Sequence, residues 1–427
     1  MRRELPARSL LSLFEAIPAR ARRPCLLGGR GEEGFQDTLA WDPVAVLEGH
    51  CSTESEPRRE LERFVAEHTA RGRLCVGYCG YELGRHLQGL PPRAAARPGL
   101  PDYSWLAYDR WLARAGEIWM LCASDERFPT ELAAAHALAA GQAAAPPPLF
   151  PPIVFQATLS PEEYAAAYRR IAEYIRAGDI YQVNLTYPLH GQSCVGGRRL
   201  FPFVARSNPV EHLAYLEADG YSIHSASPER FARVRQRVIE AVPIKGTRPR
   251  GALPEQDRAQ LAELLDSEKE AAELHMITDL LRNDLAEVCL PGSVRVVESR
   301  VARAGPKVWH TASRIQGLLR DGVEPFAAVL SMLPGGSISG CPKRRALQII
   351  DELERGARGV YTGIIGRIDP DGDADFSVAI RTLVQSGNDV YLSVGGGIVH
   401  DSVLEREHAE TVLKAASFAH LPARLEP

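Results

Sequence analysis

Four glutamates stand in two pairs of equal spacing, Glu270 with Glu273 and Glu407 with Glu410. At about 100° per residue, Glu273 falls on the helical stripe of Met276, Ile277 and Leu280. Glu407, Glu410 and Lys414 share a second stripe with Val403, Leu404, Thr411 and Phe418. A carboxylate on a buried stripe is costly unless it is paired or bound to a metal. Two such pairs facing each other would give an all-oxygen site for a hard cation, most simply Mg²⁺ retaining several waters. Each pair also has a plainer reading. Glu270 lies three residues after Ser267, as in a capping box, and Glu410 with Lys414 makes an i,i+4 pair in solvent.

The lysines are the second chemical signal. Of 50 cationic residues only five are Lys, at 245, 269, 307, 343 and 414, and the other 45 are Arg. Arg has taken over wherever either would serve, so the surviving lysines are candidates for work Arg cannot do. Arg does not deprotonate in proteins and cannot act as an amine nucleophile. Lys245 lies in Pro243-Ile-Lys-Gly-Thr-Arg-Pro-Arg250, expected as a rigid loop after a strand. Beside a pocket it is a nucleophile if its amine loses its proton, and otherwise a surface turn residue. Gly335-Gly-Ser-Ile-Ser-Gly340 precedes Lys343 and a helix, where backbone amides can bind an anion. Its glycine spacing is that of a phosphate loop, but Lys-Ser does not follow the second glycine, so no nucleotide is inferred. Gly395, Gly396 and Gly397 at a strand end permit close approach of a ligand and suit a structural turn equally.

These residues need a scaffold. A chain of 427 residues allows about two to three domains. Acidic and basic residues nearly balance, with a net charge of −4, which argues against a nucleic-acid binder or a polybasic membrane-surface protein. No uncharged apolar run is long enough to span a membrane, and the first residues lack the apolar core and cleavage site of a signal peptide. Eight scattered cysteines with no C-x-x-C fit a reduced, cytoplasmic protein. The Ala- and Pro-rich stretch 132–152 reads as a linker between residues 1–131 and 153–427. After it, Ser160-Pro-Glu-Glu163 opens a helix that Gly178 ends, and Ile180–Leu189 reads as a strand. Further helices are expected at 267–289, 342–356 and 401–417. Strands are expected at 221–226, 231–241, 294–299, 360–368, 375–385 and 389–399. Strands in adjacent pairs between helices indicate an α+β fold with antiparallel sheet.

Eight ordered segments between about 155 and 417 carry a resemblance. They are Gly178-Asp-Ile-Tyr-Gln-Val-Asn-Leu-Thr186, Ser227-Pro-Glu-Arg-Phe231, Pro243–Arg250, Met276-Ile-Thr-Asp-Leu-Leu-Arg-Asn-Asp284, Gly340-Cys-Pro-Lys343, Arg358-Gly-Val-Tyr-Thr-Gly363, Ala379-Ile-Arg-Thr382 and Gly395-Gly-Gly-Ile-Val-His-Asp-Ser402. In this order they resemble the chorismate-utilising enzymes. Gly77-Tyr-Cys-Gly-Tyr-Glu-Leu-Gly84 and Leu100-Pro-Asp-Tyr103 resemble, more weakly, the N-terminal domain of the anthranilate-forming members. Leu13-Phe-Glu-Ala16 only partly matches the tryptophan-binding segment of that domain.

The resemblance implies a large sandwich of antiparallel β-sheets flanked by helices, with the site between the sheets. It implies Mg²⁺ held by Glu273 and Glu410, with Glu270 and Glu407 contacting it through water, and the ring carboxylate of chorismate on the metal. Tyr361 and Arg381 match positions that hold the enolpyruvyl carboxylate. Glu229 matches the general acid for departure of the 4-hydroxyl, and His310 a histidine near the ring. Lys343 and Lys414 match lysines near bound carboxylates and metal, and Gly395, Gly396, Gly397 and Thr247 line the substrate. Members that add water carry a Lys base where this chain has Gln182. Anthranilate-forming members usually carry Ala where this chain has Lys245. Lys there marks the branch that makes 4-amino-4-deoxychorismate, toward 4-aminobenzoate and folate, through attack of the Lys on ring carbon 2. No G-x-C-x-G glutaminase motif is present, so ammonia is expected from a separate glutamine amidotransferase subunit. The alternatives are anthranilate formation on the same fold, or a non-catalytic chorismate-binding regulator.

Overall fold

The computed structural model describes residues 2–5, 9–30, 35–93, 99–124, 152–305, 308–416 and 418. Among them, two antiparallel sheets of 12 and 10 strands form, with helices around them. The middle of the first sheet runs His212–Ala218, Tyr221–Ser227, Thr382–Ser386, Asp389–Ile398 and Gln182–Gln192. The second runs from the edge strand Ile244–Pro249 through Val308–Leu318, Val238–Val242, Arg230–Arg235, Ala374–Val378 and Ile364–Ile368 to Leu74–Cys79, Tyr103–Tyr108 and Ala45–Gly49. Apolar side chains from both sheets and the helices fill the core, among them Trp105, Phe201, Tyr215 and Phe376.

Strands from before and after the expected linker share both sheets. Cys25–Gly28 pairs with His212–Ala218, and Leu74–Cys79 pairs with Ile364–Ile368. The 132–152 segment itself lies outside the described residues save Pro152. No described helix is long and apolar enough to cross a membrane.

Local sequence accounts for the elements that carry the site. Ser160 and Glu163 form a complete capping box at the start of helix Pro161–Arg176. Ser267 caps helix Glu268–Ala286, its hydroxyl accepting from the Glu270 N–H at 3.3 Å. Helix Leu404–Ala416 lies against the glycine-bearing strand Asp389–Ile398.

Four expected elements differ from those observed, the first being the 360–368 run, in which 360–363 is a turn and the strand is Ile364–Ile368. The 231–241 run is a hairpin, turning at Gln236 and Arg237, both with positive φ. The 375–385 run is two strands in different sheets, Ala374–Val378 in the second and Thr382–Ser386 in the first. The chain crosses between the sheets at Ala379–Arg381, where Arg381 adopts φ 50°. The Lys245 segment is an edge strand instead of a loop, because Val308–Leu318, whose polar sequence hides its strand character, supplies it with a partner.

Candidate active site

Lys245 sits where the register of its strand shifts, between Lys245 and Thr247. Gly246 stands at the irregularity with φ 71°, and a β-carbon there would lie 2.7 Å from Leu264 Cδ1. Such an irregularity re-aims a side chain out of the sheet. The Lys245 carbonyl accepts from Thr311 Oγ1 at 2.6 Å, and Nζ lies 3.9 Å from Glu273 Oε2. The backbone is therefore anchored while the amine points toward the glutamate helix.

His310 is the neighbour of this bulge across the strand pair. Its Nδ1 lies 3.2 Å from the Gly246 carbonyl and 3.0 Å from Thr247 Oγ1. A carbonyl only accepts, so Nδ1 carries the proton and Nε2 keeps its lone pair. Burial pushes the imidazole down to about 4, which leaves it neutral at physiological pH.

Glu229 is buried, and its backbone is fixed on both sides. Its N–H donates to Ser227 Oγ at 3.2 Å, and its carbonyl accepts from the Val378 N–H at 3.0 Å. Burial raises its carboxyl to about 7, against a hydrogen bond from Ser337 and the charges of Lys245 and Lys414. The charges of Lys245 and Lys414 thus both reach the Glu229 carboxyl. Near neutrality Glu229 is a carboxyl able to hold and release a proton.

The four glutamates lie on facing helices. Lys269 Nζ reaches Glu273 Oε1 at 3.8 Å and Glu407 Oε1 at 3.5 Å, bridging helix Glu268–Ala286 and helix Leu404–Ala416. Glu270 faces Arg248 at 3.5 Å, and Glu407 accepts from Ser402 Oγ at 2.7 Å. Burial raises the Glu273 carboxyl, opposed by Lys245 and Lys269 and aided by Glu270 and Glu407. Glu410 is half-exposed and pairs with Lys414 at 2.8 Å. Burial would raise the Glu410 carboxyl, but Lys414, with Lys245 and Lys269, outweighs it and holds it below the usual range. Among the described residues no three such acids enclose a common point. The donor set is still one a magnesium ion accepts: oxygens only, on two helices already bridged by one ammonium, open enough to leave room for water.

The glycines divide by role. A β-carbon on Gly395 would lie 2.5 Å from the Leu185 carbonyl, so strand packing demands this glycine. One on Gly396 would meet only Glu407 Oε2, at 3.6 Å, so Gly396 faces open space beside the glutamates. One on Gly397 would lie 3.0 Å from Gln182 Nε2. Gln182 is fully buried, and neither amide atom has a hydrogen-bond partner among the described residues. Lys414 Nζ donates to the Gly395 carbonyl at 2.8 Å, which ties the glycine strand to the glutamate helix.

Tyr361 and Arg381 lie on the two chain reversals beside the sheets. Tyr361 is buried, and burial raises its phenol, so it stays a neutral donor. Burial lowers the Arg381 guanidinium against the attraction of Glu211, and among the described residues it holds no hydrogen bond or ion pair. A half-buried cation with no direct partner has donors left for an anion. Lys343 is placed differently. Its amine donates to both Asp284 oxygens at 2.8 Å and to the Met332 carbonyl at 3.1 Å. That clamps helix Glu268–Ala286 to the start of helix Lys343–Leu353 and leaves Lys343 outside the group around Lys245.

Sequence reasoning passed over two contributors. Ser337, inside the glycine-rich run, opposes the rise of the Glu229 carboxyl. Arg358, inside a quoted segment, is buried and donates to Glu354, the Asn184 carbonyl and the Ile338 carbonyl. Outside the site, a cavity of about 660 Å³ opens among Trp111, Met120, Arg235, Arg367 and Asp371.

A family model described as chorismate binding enzyme matches residues 23–420. An anthranilate synthase component 1 of Haloarcula marismortui is 38% identical over 365 residues, 81% of this chain and 75% of that one. The aminodeoxychorismate synthase component 1 of Klebsiella aerogenes is 36% identical over 421 residues, 95% of this chain and 90% of that one. In three dimensions the chain superposes on the anthranilate synthase component I of Streptococcus pneumoniae with a TM-score of 0.79, at 25% identity over 94% of this chain and 93% of that one.

Proposed function

This chain belongs to the chorismate binding enzyme family, and within that family we propose that it aminates chorismate to 4-amino-4-deoxychorismate with Lys245 as a covalent catalyst. The observation that carries the reading is the shared space of Lys245, Glu229 and Glu273. The amine supplies a nucleophile, and the carboxyl raised to about 7 can supply a proton near neutrality.

Arg381 and Tyr361 bind the enolpyruvyl carboxylate, the guanidinium by charge and the phenol as a neutral donor. Gly396 lets the ring lie against the strand. Glu273 and Glu410 would hold Mg²⁺, with Glu270 and Glu407 acting through water. When bound, the ion would neutralise the ring carboxylate and draw electron density from the ring. The Lys245 amine, once it has given up its proton, attacks ring carbon 2. The two ring double bonds shift, the carbon 4–oxygen bond breaks, and Glu229 gives its proton so that water leaves. Ammonia then attacks carbon 4, the double bonds shift back, and the carbon 2–Lys245 bond breaks. Two allylic displacements replace one difficult substitution. The neutral His310 offers the Nε2 lone pair for a proton lost along the way. Ammonia comes from a glutamine amidotransferase subunit, as the component 1 in the relatives' names implies, and the product leads toward 4-aminobenzoate.

A second reading, anthranilate formation, is favoured by the identity to the Haloarcula marismortui relative. Products decide. Purified protein with chorismate, Mg²⁺ and excess ammonium salt near neutral pH is expected to yield aminodeoxychorismate by mass spectrometry, with yield collapsing without Mg²⁺. Anthranilate with pyruvate would establish the second reading instead.

A further inference from the structure

Glu82 lies in helix Tyr81–Leu87, far in sequence from every residue assigned to the site. Its side chain is buried, at 6% exposure, and both carboxylate oxygens are used. Oε1 accepts from the Arg358 N–H at 2.9 Å and Oε2 from the Gly359 N–H at 2.8 Å. Two successive amides pointing at one carboxylate form an anion nest, here filled by the protein itself.

The surrounding backbone is in direct contact. The Tyr81 N–H donates to the Gly359 carbonyl at 2.9 Å. A β-carbon on Gly363 would lie 2.2 Å from the Cys79 carbonyl, so the far end of the same loop also rests on this segment. Between those ends sit Tyr361 and Thr362, the latter at φ 61°, a conformation β-branched residues reach only when their surroundings impose it. Arg358 completes the brace, its guanidinium 4.5 Å from the Tyr81 ring centre and bonded to Glu354.

We propose that Glu82 is a positioning residue for Tyr361, so that the first third of the chain sets the geometry of the carboxylate-binding side of the substrate site. This rests on the reading of Tyr361 as a substrate ligand. Glu82→Gln keeps the shape but leaves one carbonyl oxygen for two amide donors, setting an amide N–H₂ against a backbone N–H. Loss of one of these two bonds is expected to raise the KM for chorismate about tenfold while kcat falls much less.

The test is a double-mutant cycle of Glu82→Gln with Tyr361→Phe, reading KM, kcat and Tm for all four proteins. The expected result is that both single variants raise KM, and that Glu82→Gln adds little once Tyr361 has lost its hydroxyl. Additive effects on KM, or a Glu82→Gln protein with a lowered Tm and unchanged KM, would overturn the positioning role alone. A Tyr361→Phe protein with unchanged KM would overturn the substrate reading of Tyr361 and this inference with it. If Glu82→Gln does not fold, Glu82→Asp, which pulls the carboxylate back from both amides, goes through the same cycle with the same criteria.

Discussion

At the scale of single residues, the site is a set of side chains moved away from their ordinary proton affinities by burial. Glu229 is raised to about 7 and His310 is lowered to about 4. The mechanism needs Glu229 protonated when the 4-hydroxyl leaves. Activity should therefore fall as pH rises through about 7, a limb that belongs to Glu229 because His310 is already neutral there. Glu229→Gln should remove that limb and lower kcat on the order of 100-fold or more, read from kcat–pH profiles of both proteins. The same shift has a sign for stability. A carboxyl whose folded value is raised binds its proton more tightly when folded. The associated stability is fully present below the ordinary carboxylate value and is lost as pH rises through about 7. Lys245 was legible at this scale because lysines are scarce enough in this chain for each to carry information. Lys343, equally scarce, holds Asp284 and the Met332 carbonyl and stands apart from the group around Lys245.

At the scale of elements, the site is assembled by irregularities more than by regular structure. Lys245 is aimed by a strand irregularity at Gly246, Arg381 by a crossing between sheets, and Tyr361 by a loop braced at both ends. The helices were legible, because capping by Ser160 and Ser267 and apolar spacing are local signals. The irregularities were not. The single β-rich run 375–385 carries no mark of the residue at which the chain changes sheets, and Val308–Leu318 has too many polar residues to announce a buried strand. The glycine strand gives a sharp test. Gly395→Ala places a β-carbon against the Leu185 carbonyl and should cost stability of about 2 kcal/mol or more. Gly396→Ala meets only Glu407 and should leave Tm nearly unchanged while raising the KM for chorismate. Thermal melts and steady-state kinetics on the two proteins check this. Equal losses of Tm would show that neither glycine faces the substrate.

At the scale of the whole molecule, the two sheets are built from both halves of the chain, and the site lies where they meet. The antiparallel α+β class followed from strands arriving in pairs. The sharing of both sheets across 132–152 did not, because strand pairing over such sequence separation leaves no local trace. The Glu82 brace belongs to this scale, since the sheet pairing of Leu74–Cys79 with Ile364–Ile368 brings it to the Tyr361 loop. So does the facing of the two glutamate helices, which spacing suggests and the Lys269 bridge shows. The account as a whole turns on a covalent bond to one lysine. The direct measurement is the intact mass of the protein mixed rapidly with chorismate and Mg²⁺ in the absence of ammonia, followed by peptide mapping. The account predicts an adduct of chorismate less one water on Lys245, absent from Lys245→Ala and discharged by added ammonium. An unmodified Lys245, together with a Lys245→Ala protein that still aminates chorismate at the wild-type rate, would contradict it.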